Sequence, residues 1–163
     1  VFQNLNKMYK QKIIFLDIDG VLNNHTAKNI YDKNSILPQC IESLNNILIS
    51  TFAQIIIISN WSQQLTLSQL QKMLSERGLL TNSIVGAIEP TEITQNGLTY
   101  STIEKDKFIK KYIEENQLDS YLIIDDNLNS ELLDNSRVIK PSTHVGLNQE
   151  HVKTAVKILL RNE

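Results

Sequence analysis

The stretch Lys12-Ile13-Ile14-Phe15-Leu16-Asp17-Ile18-Asp19-Gly20 decides the fold of this chain. Its continuous apolar run, ending abruptly in acid, is the pattern of a strand covered on both faces, because a strand with one wet face would alternate. Such a strand belongs at the centre of a sheet. Outward from it, Ala53-Gln54-Ile55-Ile56-Ile57-Ile58-Ser59 reads as a second buried strand, and Tyr121-Leu122-Ile123-Ile124-Asp125 repeats the first pattern, apolar strand then acid.

Helices fill the intervals. Pro38 opens one as its first residue, and Ile41, Leu44 and Leu48 recur at helical spacing to about Thr51. Leu67, Leu70 and Leu74 make the stripe of a second, ended near Gly78. A short strand is expected at residues 83–87, then a loop through Pro90 and Gly97, then a helix with Ile109, Tyr112 and Ile113 inward. Residues 137–140 read as a short last strand, and Asn148 as the N-cap of a final helix with Val152, Ala155, Val156 and Leu159 on one side. Alternating strands and helices imply an α/β fold: a doubly wound, mainly parallel five-stranded sheet with helices on both faces. One domain over residues 1–163 is expected, with residues 1–11 as a peripheral N-terminal segment.

In such a sheet the reacting groups gather beyond the carboxyl ends of the strands. Asp17, Ser59 and Asp125 each follow an apolar strand, so they meet on one rim if the three strands are neighbours. Asp17 and Asp19 lie two apart, which sends both side chains roughly to the same side, and Asp126 adds a fourth acid. Ionised carboxylates about 4 Å apart repel by roughly 4 kcal/mol per pair at an effective dielectric near 20. A hard cation offsets this, and oxygen-only ligands point to Mg2+, with Asp17, Asp19, Asp125 and Asp126 as candidate metal residues.

The remaining parts suit phosphoryl transfer, which needs an in-line nucleophile, a proton donor and groups around the phosphoryl oxygens. Asp17 is the candidate nucleophile, and Asp19 the acid and base. Ser59 offers a hydroxyl, and Lys105, with Lys107 second, a positive charge. Gly20, Ser59, Asn60 and Lys105 are the candidates for binding substrate.

These pieces, in this order, resemble the haloacid dehalogenase (HAD) superfamily of phosphatases. The stretch from Ile14 to Asn23 is similar to its first motif, Ile57-Ile58-Ser59-Asn60 to its second, Lys105 fits the third, and Ile123-Ile124-Asp125-Asp126 the fourth. The resemblance implies a central first strand flanked by the strands carrying Ser59 and Asp125. A narrower likeness, to the HAD domain of Swiss-army-knife RNA-repair proteins, rests on Ser59-Asn60-Trp61, on Ile84-Val85-Gly86-Ala87-Ile88-Glu89-Pro90, on Asp125-Asp126 and on Val145-Gly146-Leu147-Asn148. Two positions depart from that subgroup: Ser62 stands where arginine is usual, and Asn148 where threonine is common. A lost guanidinium bears on gripping phosphate or nucleic acid more than on the core chemistry.

Larger relatives insert a cap domain after the first or second motif. Between Gly20 and Pro38 there is length for a flap only, and the segment from Asn60 to Lys105 holds a helix, a short strand and a loop, so no large cap is expected. An open site follows, suited to phosphate on a nucleic-acid end or a protein. Three alternatives stand beside it: a phospho-ligand-binding module without turnover, a receiver-like signalling module, and a small-metabolite phosphatase. Chain order opposes the receiver, whose acid pair belongs at its first strand, whereas Asp125-Asp126 comes late.

Other features read as ordinary structure. Lys107, Lys110 and Lys111 suit a solvated helix face, His25 a surface position in the flap, and His144 and His151 lack metal-like spacing. Trp61 is expected to pack at the strand–helix junction, with stacking on a base as the alternative. Cys40 is the one cysteine, which excludes an internal disulfide, and its neighbours suggest a small core residue. Net charge is −2, so no global positive field would recruit a polyanion. The longest aliphatic run, Ile55 to Ile58, is far short of the ~20 residues of a membrane helix, and Val1 to Lys12 do not read as a signal peptide; a cytoplasmic protein is expected.

Overall fold

The structure is a computed structural model, and it describes residues 10–24 and 32–161. Five parallel strands form the main sheet: β1 (Lys12–Leu16), β2 (Gln54–Ile57), β3 (Ile84–Ala87), and two later strands, Ser120–Ile124 and Val138–Ile139. Between β3 and those two lies an antiparallel pair, β4 (Thr91–Gln95) and β5 (Leu98–Thr102), so the later strands are β6 and β7. The sheet order is β3-β2-β1-β6-β7. Thus β1 is central, paired in parallel with β2 from Ile13↔Gln54 to Leu16↔Ile57 and with β6 from Lys12↔Ser120 to Leu16↔Ile124.

The apolar runs demand cover on both sides, and the pleat divides it. Ile14, Leu16, Ile55, Ile57, Leu122 and Ile124 face one core, under helices α1 (Pro38–Thr51), α2 (Leu67–Glu76) and α4 (Gln149–Leu159); α3 (Lys105–Asn116) separates the last two in sequence. Ile13, Phe15, Ile56, Ile58 and Ile123 face the other, where α3 supplies Ile109. Each fully buried residue of this kind contributes about 1.5–3 kcal/mol of transfer free energy. Leu118, Leu128 and Leu133 complete that cover from outside the helix, and Tyr112 and Tyr121 meet Phe15 edge-on, with ring centroids 5.7 and 6.3 Å away.

Helix boundaries follow local chemistry. Pro38 sits in the first turn of α1, Thr66 and Gln69 form a reciprocal capping box on α2, and the Asn148 side chain caps α4. On α4 the buried set is Ala155, Ile158 and Leu159, with Val152 partly buried, so Ile158 belongs to the inner face and Val156 lies at its flank. Cys40 is buried, and burial pushes its thiol up to about 11, consistent with a core residue.

The expected loop through Pro90 and Gly97 is instead the β4–β5 hairpin, turning at Asn96 and Gly97, both at positive φ. Its strands escape a search for apolar runs because nearly every residue in them is exposed. It is no cap domain, and among the described residues no helix is long and apolar enough to cross a membrane. Residues 1–9 of the expected N-terminal segment lie outside the described residues, as do 25–31 of the flap, including His25.

Gly146 locks the end of the chain onto the loop after β1. It has φ +77, and a Cβ there would lie 2.8 Å from the Val21 carbonyl oxygen and 2.9 Å from Cys40 Sγ. The next residue donates its N–H to that same Val21 carbonyl at 2.7 Å. Gly146→Ala combines left-handed strain with a clash against backbone, so it is expected to destabilise the protein by about 2–3 kcal/mol, measured by urea unfolding.

Candidate active site

The sheet ladder continues one residue past the strands and so aligns the rim. Asp17 donates its N–H to the Ile124 carbonyl at 2.9 Å, Ile58 donates to the Leu16 carbonyl at 2.9 Å, and Asp125 donates to the Ile139 carbonyl at 3.2 Å. Asp17 and Asp125 are therefore neighbours on adjacent strands, with their side chains buried. Lys105, the first residue of α3, reaches in from the second face. Its Nζ is 3.0 Å from Asp17 Oδ2 and 2.8 Å from Asp125 Oδ2, and only 18% of its side chain is exposed.

The other lysines of α3 point away. Lys107 pairs with Glu104, Lys110 with Glu114 and Lys111 with Glu115, all well exposed. Of the two lysine candidates, Lys105 is thus the one joined to the acids.

Asp17, Asp125 and Asp126 present carboxylate oxygens within 4.8 Å of one another. Asp126 has its place because Gly20, at φ +75, lacks a side chain: a Cβ there would lie 2.2 Å from Asp126 Oδ2. Three carboxylates face one ammonium, the donors are all oxygen, and the group is largely buried, which fits a hard divalent cation.

Asp19 stands outside that group. Its Oδ1 accepts from Asn23 Nδ2 at 2.8 Å and its Oδ2 from the Trp61 indole Nε1 at 3.1 Å. Gly20, a candidate for binding substrate, donates its N–H to Asn23 Oδ1 at 2.9 Å. Ser59 is fully buried, and its hydroxyl accepts from the Trp61 N–H at 3.3 Å, capping the 3₁₀ turn Asn60–Gln63. Trp61 is fully buried too, so it packs at the junction and offers no face to a base.

A solvent-open cavity of about 550 Å³ is lined by Asp17, Asp19, Asn60, Lys105, Asp125 and Asp126, together with Asn127, Leu128 and Thr143. The last three are new to the sequence reading. Asn127 carried a signal, since an acid followed by Asp-Asn suits a side-chain turn, and Asp125 Oδ1 does accept from the Asn127 N–H at 2.9 Å. Leu128 and Thr143 carried none.

Burial, seconded by the charge of Asp125 and opposed by Lys105, raises the Asp17 carboxyl to about 7. Burial alone would lower the Lys105 ammonium, but Asp17 and Asp125 outweigh it and hold it above the ordinary lysine value. Without metal, folded Asp17 keeps its proton to higher pH than the unfolded chain does, so its contribution to stability falls as pH rises from about 4 to about 7. Urea unfolding in chelator should reveal a loss on the order of 4 kcal/mol at most across that window, absent in Asp17→Asn. The wild-type minus variant difference separates it from His151, whose lowered pKa works the opposite way.

Neither the curated proteins nor the solved structures contain a match to this chain. A family model does match, that of the HAD domain in Swiss Army Knife RNA repair proteins, over residues 13–152. That span holds the ends of β1, β2 and β6, Lys105 and the four aspartates of the cavity, and with the acidic cluster it points to hydrolase chemistry of the HAD phosphatase type. The strand order, the rim and the extent of the match agree, and the chain belongs to the family of HAD domains found in Swiss Army Knife RNA repair proteins.

Proposed function

We propose that the chain is a magnesium-dependent phosphatase that hydrolyses a phosphomonoester through an aspartyl-phosphate on Asp17. The observation that carries this reading is the pairing of Lys105 with both Asp17 and Asp125, beside Asp126, in a cavity that Asp19 also lines. Asp17, Asp125 and Asp126 would hold magnesium, which when bound screens the phosphate charge and lets Asp17 approach it. Asp19 could join that set through its backbone carbonyl, since Trp61 and Asn23 hold its side chain.

In the first step a carboxylate oxygen of Asp17 bonds to phosphorus while the bond to the leaving oxygen breaks. Asp19 gives that oxygen its proton. In the second step Asp19 takes a proton from water as the water oxygen attacks phosphorus; the bond to Asp17 breaks and inorganic phosphate leaves. Lys105 places Asp17 and offsets charge on the phosphoryl oxygens, and Asn60 is positioned on the cavity wall to donate to them. Ser59, buried beneath the cavity lining, shapes the turn that presents Asn60.

The open, polar mouth suits phosphate carried on something larger than the cavity. The RNA repair in the family's name makes a nucleic-acid end the first candidate, and a phosphoprotein the second.

Hydrolysis of an aryl phosphate should require Mg2+, stop in chelator and return on adding the ion. Asp17→Asn should lower kcat by about three orders of magnitude or more, and Lys105→Met by about 100-fold. No turnover by the wild type on any phosphomonoester would sink the reading. Purified protein screened against 3′- and 5′-phosphorylated oligonucleotides, phosphopeptides and sugar phosphates should prefer polymer ends; activity confined to sugar phosphates would remove the macromolecular substrate.

A further inference from the structure

Resting on that reading, we infer that Trp61 and Asn23 are positioning residues that aim the Asp19 carboxyl group at the leaving oxygen. The two donors come from different parts of the fold: Asn23 from the loop after β1, Trp61 from the 3₁₀ turn after β2. Each binds a different oxygen of the same carboxyl group, at 2.8 and 3.1 Å. Bonds to both oxygens fix the plane of the group as well as its position, and each oxygen keeps a second lone pair to carry the transferred proton.

Both donors are fully buried, whereas Asp19 is half-buried and lines the cavity. Their polar atoms therefore serve the site from within the protein. The Asn23 side chain is itself held, because its Oδ1 accepts from the Gly20 N–H at 2.9 Å. Trp61 is anchored by its backbone N–H to Ser59 Oγ at 3.3 Å and by a ring packed in the main core. A buried indole used only for packing does not require an acid at its N–H; here that acid is the one that must face the leaving group. Such support is what fixes a proton donor within the tolerance that general acid catalysis demands.

Loss of aim should be felt most where the leaving group most needs a proton. Wild type, Trp61→Phe and Asn23→Asp are compared on 4-nitrophenyl phosphate, whose leaving group departs readily, and on phenyl and alkyl phosphates, whose leaving groups do not. Trp61→Phe keeps a ring in the core and removes the N–H. Asn23→Asp keeps an acceptor for Gly20 and exchanges the amide donor for a second carboxyl group beside Asp19. Both variants should lose at least about 10-fold more kcat/KM on the poor leaving groups than on 4-nitrophenyl phosphate. In an Asp19→Asn background, Trp61→Phe should cost little further.

Trp61 is the chain's one tryptophan, so its indole N–H gives a single resonance in a ¹⁵N-labelled sample. That resonance should move in Asp19→Asn and stay in place in Lys107→Ala, without any need for turnover. Equal losses on all substrates, or full additivity with Asp19→Asn, would overturn the positioning role and leave the phosphatase reading standing. An indole resonance indifferent to Asp19→Asn would overturn it as well. A wild type inactive on every substrate would overturn both together, and if Trp61→Phe fails to fold, the Asn23→Asp comparison decides.

Discussion

The ammonium of Lys105, held between Asp17 and Asp125, is the contact on which the site depends. It joins the start of α3 to the ends of β1 and β6, so three elements distant in sequence meet at one nitrogen. The pairing forms because β1 and β6 are parallel neighbours in register to their last residues. Its energetic meaning is narrower than its geometry suggests. Buried ion pairs often do little better than break even against desolvation, and here one cation faces three acids. The raised Asp17 carboxyl expresses that shortfall, and the rim is stable in spite of its acids because the apolar strands beneath them are so thoroughly covered.

Two aspartates separated by a single isoleucine occupy different environments. Asp17 is buried against a cation; Asp19 is half-buried and held by two neutral donors. The pleat brings both to the same cavity, and the loop after β1 then separates their partners. Gly20 is the pivot of that loop: its positive φ turns the chain so that its N–H meets Asn23, and its missing side chain leaves space for Asp126. One backbone conformation thus serves both acid networks. Placing two carboxylates in unlike surroundings is a general way to give them unlike chemical duties.

The legible part of the sequence was the part governed by one-dimensional pattern. Continuous apolar runs marked β1, β2 and β6, and the pattern of a buried strand ending in acid marked Asp17 and Asp125 as residues of one rim. The hairpin was hidden for a physical reason: Thr91–Gln95 and Leu98–Thr102 pair with each other and bury little, so only the Asn96-Gly97 turn signalled them. Lys105 could not be separated from Lys107 by composition, because the choice depends on which residue begins the helix at the rim and thus which side chain can reach Asp17. Trp61 was legible as a packing residue, but its bond to Asp19 joins residues 42 positions apart and leaves no periodic trace. Leu128 and Thr143 were silent for the same reason, entering the cavity through loops.

Charge then limits how a substrate can bind. Among the described residues that line the cavity, Lys105 is the one cation, and two carboxylates already engage it. A phosphate dianion entering there meets Asp17, Asp19, Asp125 and Asp126 as well, each costing roughly 4 kcal/mol at about 4 Å and an effective dielectric near 20 when ionised. One ammonium cannot offset that sum. On the proposed reading the divalent ion would therefore serve affinity as much as reactivity. Among the described residues, the walls offer the rest of the substrate Asn60, Asn127, Thr143 and Leu128.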